Sequence, residues 1–115
     1  MAGYLYILSN QKNGTLYIGA SSALVKRIWE HKNKFIPGFS QKYHLNRLVY
    51  YEQFGDVISA RARERQLKKW KRSWKIDLIE KDNPTWKDLY PSIIGFSGPP
   101  GQARRKEEKE PEGKK

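Results

Sequence analysis

Six side chains in this chain are of types that can hold a phosphate and move its protons: Tyr4, Tyr6, Tyr17, Arg27, His31 and Glu64. Tyr4 and Tyr6 stand two apart in "GYLYILS", so on a strand they share one face. Tyr17 lies in "TLYIG", two residues before Gly19, where the missing side chain lets a ligand come close to the backbone. Arg27 and His31 are i and i+4, neighbours on one side of a helix. Arginine offers a rigid fork of donors matched to phosphate oxygens. Tyrosine and histidine can exchange a proton with an attacking or departing oxygen.

Glu64 adds a different element. In "SARARERQLKKWKR", Ser59 to Arg72, it is the sole acid among seven bases. One reading pairs it with Arg61 or Lys68 along the helix. The other makes it the carboxylate for Mg²⁺, which keeps most of its waters and takes one or two protein carboxylates plus substrate phosphate. The plain alternative for the remaining residues is that strand tyrosines pack and an Arg–His pair faces solvent.

These residues need elements to position them. Gly3–Ser9 alternates aromatic and aliphatic side chains and predicts a strand. Asn13-Gly14 is turn chemistry that tolerates positive φ, so Thr15–Gly19 is the returning strand of a hairpin. Ser21 and Ser22 are expected to cap a helix reaching about Lys34, with Leu24, Val25, Ile28 and Trp29 on its apolar side. A loop over Phe35–Arg47 leads to a third strand, Leu48–Phe54. Helices are expected over Val57–Lys71 and Ser73–Lys81, with Trp70, Trp74, Leu78 and Leu48 mainly in the core. Asp82-Asn83-Pro84 stops the second, and Trp86–Tyr90 docks as a final turn. The order β-β-α-β-α-α describes an α+β domain: a small three-stranded, largely antiparallel sheet flanked by helices.

Length fits one domain with a modest core, 115 residues of which 37% are hydrophobic and 30% charged. The domain is expected over residues 1–94. Residues 95–115, rich in Gly, Pro, Lys and Glu, are expected to be a disordered tail. No apolar run approaches the roughly 20 residues of a membrane span, and the start lacks a signal-peptide pattern. The absence of cysteine excludes disulfides and thiolate metal sites, and it fits a cytoplasmic setting.

Charge narrows the partner. Residues 1–95 hold 17 basic and 8 acidic residues, +9 of the total +11, so the excess belongs to the expected folded part. A small basic domain attracts a polyanion, most simply nucleic acid. Arg61, Arg63, Arg65, Lys68, Lys69, Lys71 and Arg72 would lie along a phosphate backbone.

Tyr4–Tyr6, Tyr17–Gly19, Arg27, His31 and Glu64, in this order and spacing, resemble the GIY-YIG nuclease domain over about residues 3–90. The similarity is greatest to small single-domain bacterial members, related to the nuclease module of the excinuclease C subunit. The resemblance implies a metal-dependent endonuclease that cuts DNA phosphodiester bonds, structure-directed or weakly sequence-specific, in repair or recombination. It implies Tyr17 as general base or water-positioning group, Tyr6 as its support, Arg27 on the scissile phosphate, His31 assisting proton transfer and Glu64 on Mg²⁺, with Mn²⁺ the alternative. Tyr4, Gly19, Arg61, Arg65, Lys68 and Asn83 would contact substrate. Tyrosine has a reference pKa of about 10, so as a base it needs a neighbour that stabilises the phenolate.

Departures from the family pattern are specific. Tyr4 stands at the glycine of the first motif, and Ala20 stands where excinuclease relatives place a lysine. Asn83 matches the late asparagine of many relatives but also reads as a helix stop. No separate DNA-binding domain fits within the chain. The rival expectation is a non-catalytic nucleic-acid-binding module with the same fold, its partner DNA or RNA. On either reading a monomer is expected, with a protein partner as the alternative.

Overall fold

Alternation along the first strand determines the layout. The computed structural model describes residues 2–33, 38 and 43–97. Strand β1, Gly3–Ser9, is the centre of a three-stranded antiparallel sheet in the order β2-β1-β3. It sends Leu5 and Ile7 to one face and Tyr4, Tyr6 and Leu8 to the other. Asn13, at φ 57°, turns the chain back into β2, Leu16–Ser21. Its positive φ is the conformation that the Asn-Gly dipeptide predicts.

Helix α1, Leu24–Lys32, follows at once. Its N-cap position is Ala23 and carries no side-chain cap; Ser21 Oγ instead accepts the Ala23 N–H at 3.0 Å. Leu24 and Ile28 are buried as expected, whereas Trp29 is exposed. Most of the expected loop 35–47 lies outside the described residues.

Strand β3, Arg47–Phe54, pairs with β1 through a register shift between Ile7 and Leu8. Ile7 faces Tyr50 and Leu8 faces Leu48, so Val49 is the extra residue and joins the Leu5–Ile7 face.

Helix α2, Val57–Lys68, starts at Asp56, whose carboxylate accepts the Ser59 N–H at 2.7 Å. Gly3 permits this close entry: a Cβ there would lie 2.4 Å from the Asp56 carbonyl oxygen. Helix α3 is Arg72–Asp82. Leu67 of α2 and Ile79 of α3 seal Leu5, Ile7, Val49 and Trp86 into one core. Each such side chain contributes about 1.5–3 kcal/mol by burial.

The helices differ from expectation in two ways. Trp74 is 50% exposed instead of core, while Trp70 and Leu78 pack partly and Leu48 is fully buried. A further helix, α4, Tyr90–Ser97, places Ile93 against Leu24 and Ile28 on the Tyr6 face. It runs past the expected boundary at Ile94; the remaining tail residues, 98–115, lie outside the described residues. Its start is held by Asp88, which accepts the Tyr90 N–H and Leu48 N–H and pairs with Lys32 of α1.

Candidate active site

Three cross-strand rows pave the Tyr6 face: Tyr17 opposite Leu8, Gly19 opposite Tyr6, and Ser21 opposite Tyr4. On the β3 side Tyr51 lies across from Tyr6 and Gln53 across from Tyr4. The middle row explains the glycine. A Cβ at Gly19 would sit 2.5 Å from the Tyr6 hydroxyl, so the Tyr6 phenol fills that space. Gly19 therefore makes room for a catalytic-type side chain, not for a ligand at the backbone as its sequence context suggests.

Helix α1 delivers the other half of the cluster. His31, on its inward side and 5% exposed, makes a 3.1 Å hydrogen bond through Nε2 with the Tyr6 hydroxyl. Tyr17 completes a triangle of rings: 6.4 Å from Tyr6 and 5.4 Å from His31, with Tyr6 and His31 5.7 Å apart. One turn earlier Arg27 reaches outward, its side chain 43% exposed, with only a long 3.8 Å contact to Glu30.

Electrostatics separates the roles these groups can take. Tyr6 is 2% exposed, and burial pushes its hydroxyl far above the ordinary tyrosine value. The Tyr17 phenol, Glu64 and Glu30 push the same way, and only Arg27 opposes them. Tyr6 is thus a permanent hydroxyl, unfit as a base. His31 is lowered to about 4, chiefly by burial and then by the Arg27 charge, with Glu30 opposing. It is neutral at pH 7 and retains a lone pair.

Glu64 projects from α2, which packs mainly against β2 and β1, and its charge registers on Tyr6. It also pairs with Lys68 at 2.8 Å, so one of its two sequence-derived readings holds in the chain as it stands. Such i,i+4 pairs contribute only about 0.3–0.5 kcal/mol, little resistance to a divalent ion. Glu30 is the acid that sequence reasoning missed; its signal was the i,i+3 spacing from Arg27.

The outer residues divide. Tyr4 shares the face of Tyr6 and lines a hollow beside it. Arg61 and Arg65 are exposed on α2, and Lys68 holds Glu64. Asn83 is not at this site. It is buried at the end of α3, where its amide donates to the carbonyls of Val49 and Lys87 and accepts the Lys87 N–H, all at 2.9–3.1 Å. Every polar atom of that amide serves the scaffold, which removes it from substrate contact.

Two bases of the expected phosphate-binding stripe are scaffold as well. Arg63 forks onto Glu52 of β3 at 3.0 and 3.1 Å, and Arg72 donates to the carbonyls of Asn13 and Gly14 at 2.8 and 2.7 Å. Neither partner is adjacent in sequence, so spacing alone could not reveal them.

For a metal, the donor set is one hard carboxylate, Glu64, with Glu30 the second acid whose charge reaches Tyr6. Among the described residues no three His, Cys, Asp or Glu side chains gather into a cage. The set suits Mg²⁺ or Mn²⁺, which complete their shells with water and substrate phosphate. It does not suit an ion that needs an all-protein cage.

The chain has relatives among known proteins. The GIY-YIG catalytic domain family model matches residues 2–77, spanning both tyrosine strands, α1, β3 and α2. The chain belongs to the GIY-YIG family, and its domain is of the nuclease type. It is 40% identical over 80 residues to UPF0213 protein CPE1444 of Clostridium perfringens, covering 66% of this chain and 81% of that one. It is 34% identical over 76 residues to UPF0213 protein SSP2268 of Staphylococcus saprophyticus, covering 66% and 92%. The solution NMR structure of UPF0213 protein BH0048 from Bacillus halodurans aligns at 25% identity with a TM-score of 0.49, covering 77% of this chain and 94% of that one.

Proposed function

We propose that the chain is a metal-dependent endonuclease that hydrolyses DNA phosphodiester bonds, structure-directed or weakly sequence-specific, in DNA repair or recombination. The observation that carries this reading is the convergence of Tyr6, Tyr17 and His31 within ring distances of 5.4–6.4 Å, with Arg27 one turn from His31 on the same helix. A cytoplasmic setting belongs to the same proposal.

Each residue has a part. Arg27, outward-facing at the rim, grips the scissile phosphate with its donor fork. Tyr17 orients the attacking water or takes its proton. Tyr6, held protonated, fixes the His31 ring through their shared hydrogen bond and thereby fixes the face that Tyr17 meets. Neutral His31 is the acceptor for the proton that Tyr17 must lose to become a base. Glu64 would hold Mg²⁺ or Mn²⁺, which when bound neutralises phosphate charge and stabilises the departing alkoxide. Exposed Arg61 and Arg65 add salt-sensitive contacts to the DNA backbone.

The test is a panel of branched, nicked, single-stranded and duplex DNA incubated with purified chain and divalent metal. Cleavage of at least one substrate, stopped by EDTA, is the expected result. The Glu64–Lys68 ion pair favours a second reading, a nucleic-acid-binding module without turnover. Steeply salt-dependent binding with no metal-dependent product on any of these DNAs selects that module.

A further inference from the structure

The hollow beside the reacting cluster has a construction of its own. Tyr4 and Tyr51 rise from neighbouring strands, Gln53 lies directly across from Tyr4, and Ile93 of α4 lines the hollow with them. With Ser22, just before α1, and Lys26, in its first turn, they line an open hollow of about 470 Å³. Small-molecule sites run from roughly 300 to 1,000 Å³. Both tyrosines are half-buried and line the same hollow, and the Tyr51 hydroxyl is raised by burial and then by the Tyr4 phenol. Among the described residues, no hydrogen bond occupies the side chains of Tyr4, Tyr51 or Gln53.

Position ties this hollow to the chemistry. Tyr4 stands two residues from Tyr6 along β1, roughly 7 Å. A smaller hollow of about 210 Å³ along α1 is lined by Arg27 and Glu30 and shares Ser22 and Lys26 with the first. The two hollows therefore adjoin at the start of α1, with Arg27 lining one and Tyr4 and Tyr51 lining the other.

We propose that this hollow is a base-holding subsite that takes one unpaired nucleobase of the DNA strand whose adjoining phosphate lies at Arg27. The choice of DNA rests on the nuclease reading; the stacking chemistry does not. Phenol faces stack any base, and the Gln53 amide offers both a donor and an acceptor to a base edge. Lys26 meets the flanking phosphate as a point charge. A base inside continuous duplex has both faces stacked and its pairing edge engaged, so it cannot enter. The subsite thus makes the chain selective for flaps, bulges or single strands over intact duplex.

The experiment uses the full chain, EDTA to hold off cleavage, and a DNA flap with 2-aminopurine at its first unpaired position. Binding is expected to quench that fluorescence. Tyr4→Leu and Tyr51→Leu should each weaken flap binding roughly 5- to 150-fold, the range for one stacked base, and leave duplex binding unchanged. Tyr4→Phe and Tyr51→Phe keep a ring and should keep the quenching, which a role in apolar filling alone would not require. Thermal unfolding of each variant checks that it is folded. If the leucine variants unfold, photocrosslinking of the parent chain to 5-iodouracil at the same position decides: crosslinks at Tyr4 or Tyr51 support the subsite, and crosslinks confined to α2 overturn it.

Failures separate cleanly. Tyrosine-dependent quenching with no cleavage under Mg²⁺ on any DNA removes the nuclease reading and leaves the subsite standing. Cleavage together with leucine variants that bind the flap like the parent removes the subsite and leaves the nuclease. Quenching by an RNA flap and not by DNA overturns the DNA assignment.

Discussion

The two faces of the sheet are made from alternate residues of the same three strands, yet they treat their polar groups in opposite ways. Under α2 and α3, polar side chains are matched inside the protein. Arg63 forks onto Glu52, Tyr50 donates to the same carboxylate, and Asn83 uses its whole amide on backbone groups. On the face toward α1 and α4, Tyr6 and His31 hydrogen-bond to each other across the fold, and among the described residues Arg27 has one long 3.8 Å contact, to Glu30. A charge held by a forked partner inside the fold rigidifies a scaffold, whereas an outward-facing guanidinium beside buried titratable groups is what a reacting site needs.

The strongest way to break this contrast is Tyr17→Phe. It removes one hydroxyl from the open face and keeps nearly all the contacts of the ring. Cleavage should fall by roughly 100- to 10,000-fold with DNA affinity and melting temperature retained. Parent-like cutting would return Tyr17 to an ordinary strand residue.

Glu64→Gln comes next. The side chain keeps its size and loses its charge, so the metal requirement should rise, with half-maximal cleavage moved to roughly 10- to 100-fold higher Mg²⁺. Saturating metal should recover much of this defect and none of the Tyr17→Phe defect. DNA binding should be equal or slightly stronger, since an acid leaves a basic helix.

A matched pair then sets one face against the other. Asn83→Ala strands the buried Val49 carbonyl and frees the Lys87 backbone groups, and should cost about 1–3 kcal/mol of stability while cleavage per folded molecule stays unchanged. Gly19→Ala drives a methyl group into the Tyr6 hydroxyl and should cost about 1–3 kcal/mol as well, but with a loss of activity. Chemical denaturation alongside initial rates distinguishes them. Equal effects on rate would erase the distinction between the faces.

The last effect leaves cleavage aside and is a pH dependence of stability from His31. In the unfolded chain its imidazole titrates near 6.5, and in the folded chain near 4. Between those values the unfolded state binds the extra proton, so this contribution is complete above pH 6.5 and drains as pH falls toward 4. Melting temperature should drop across that window, and His31→Asn should flatten the slope relative to the parent.

Local rules read much of this molecule correctly. Alternation in Gly3–Ser9, the Asn-Gly turn and helical spacing in α1 need only near neighbours in sequence, and they place Tyr6, Tyr17, Arg27 and His31 on their elements. Helix α2 was legible for the same reason, and with it Glu64. What a side chain touches across the fold was not. Gly19 is a glycine because of the Tyr6 phenol on the next strand; Arg63 and Asn83 are structural because of β3; Trp74 is surface because α3 turns it outward. Helix α4 escaped notice because "YPSIIGFS" has no polar face to set a period, and it forms against Leu24 and Ile28, contacts far away in sequence. The sequence by itself determined which residues could do chemistry, because type and spacing are local. Only the tertiary structure decided which of them are left to do it, because hydrogen-bond partners and burial come from distant segments.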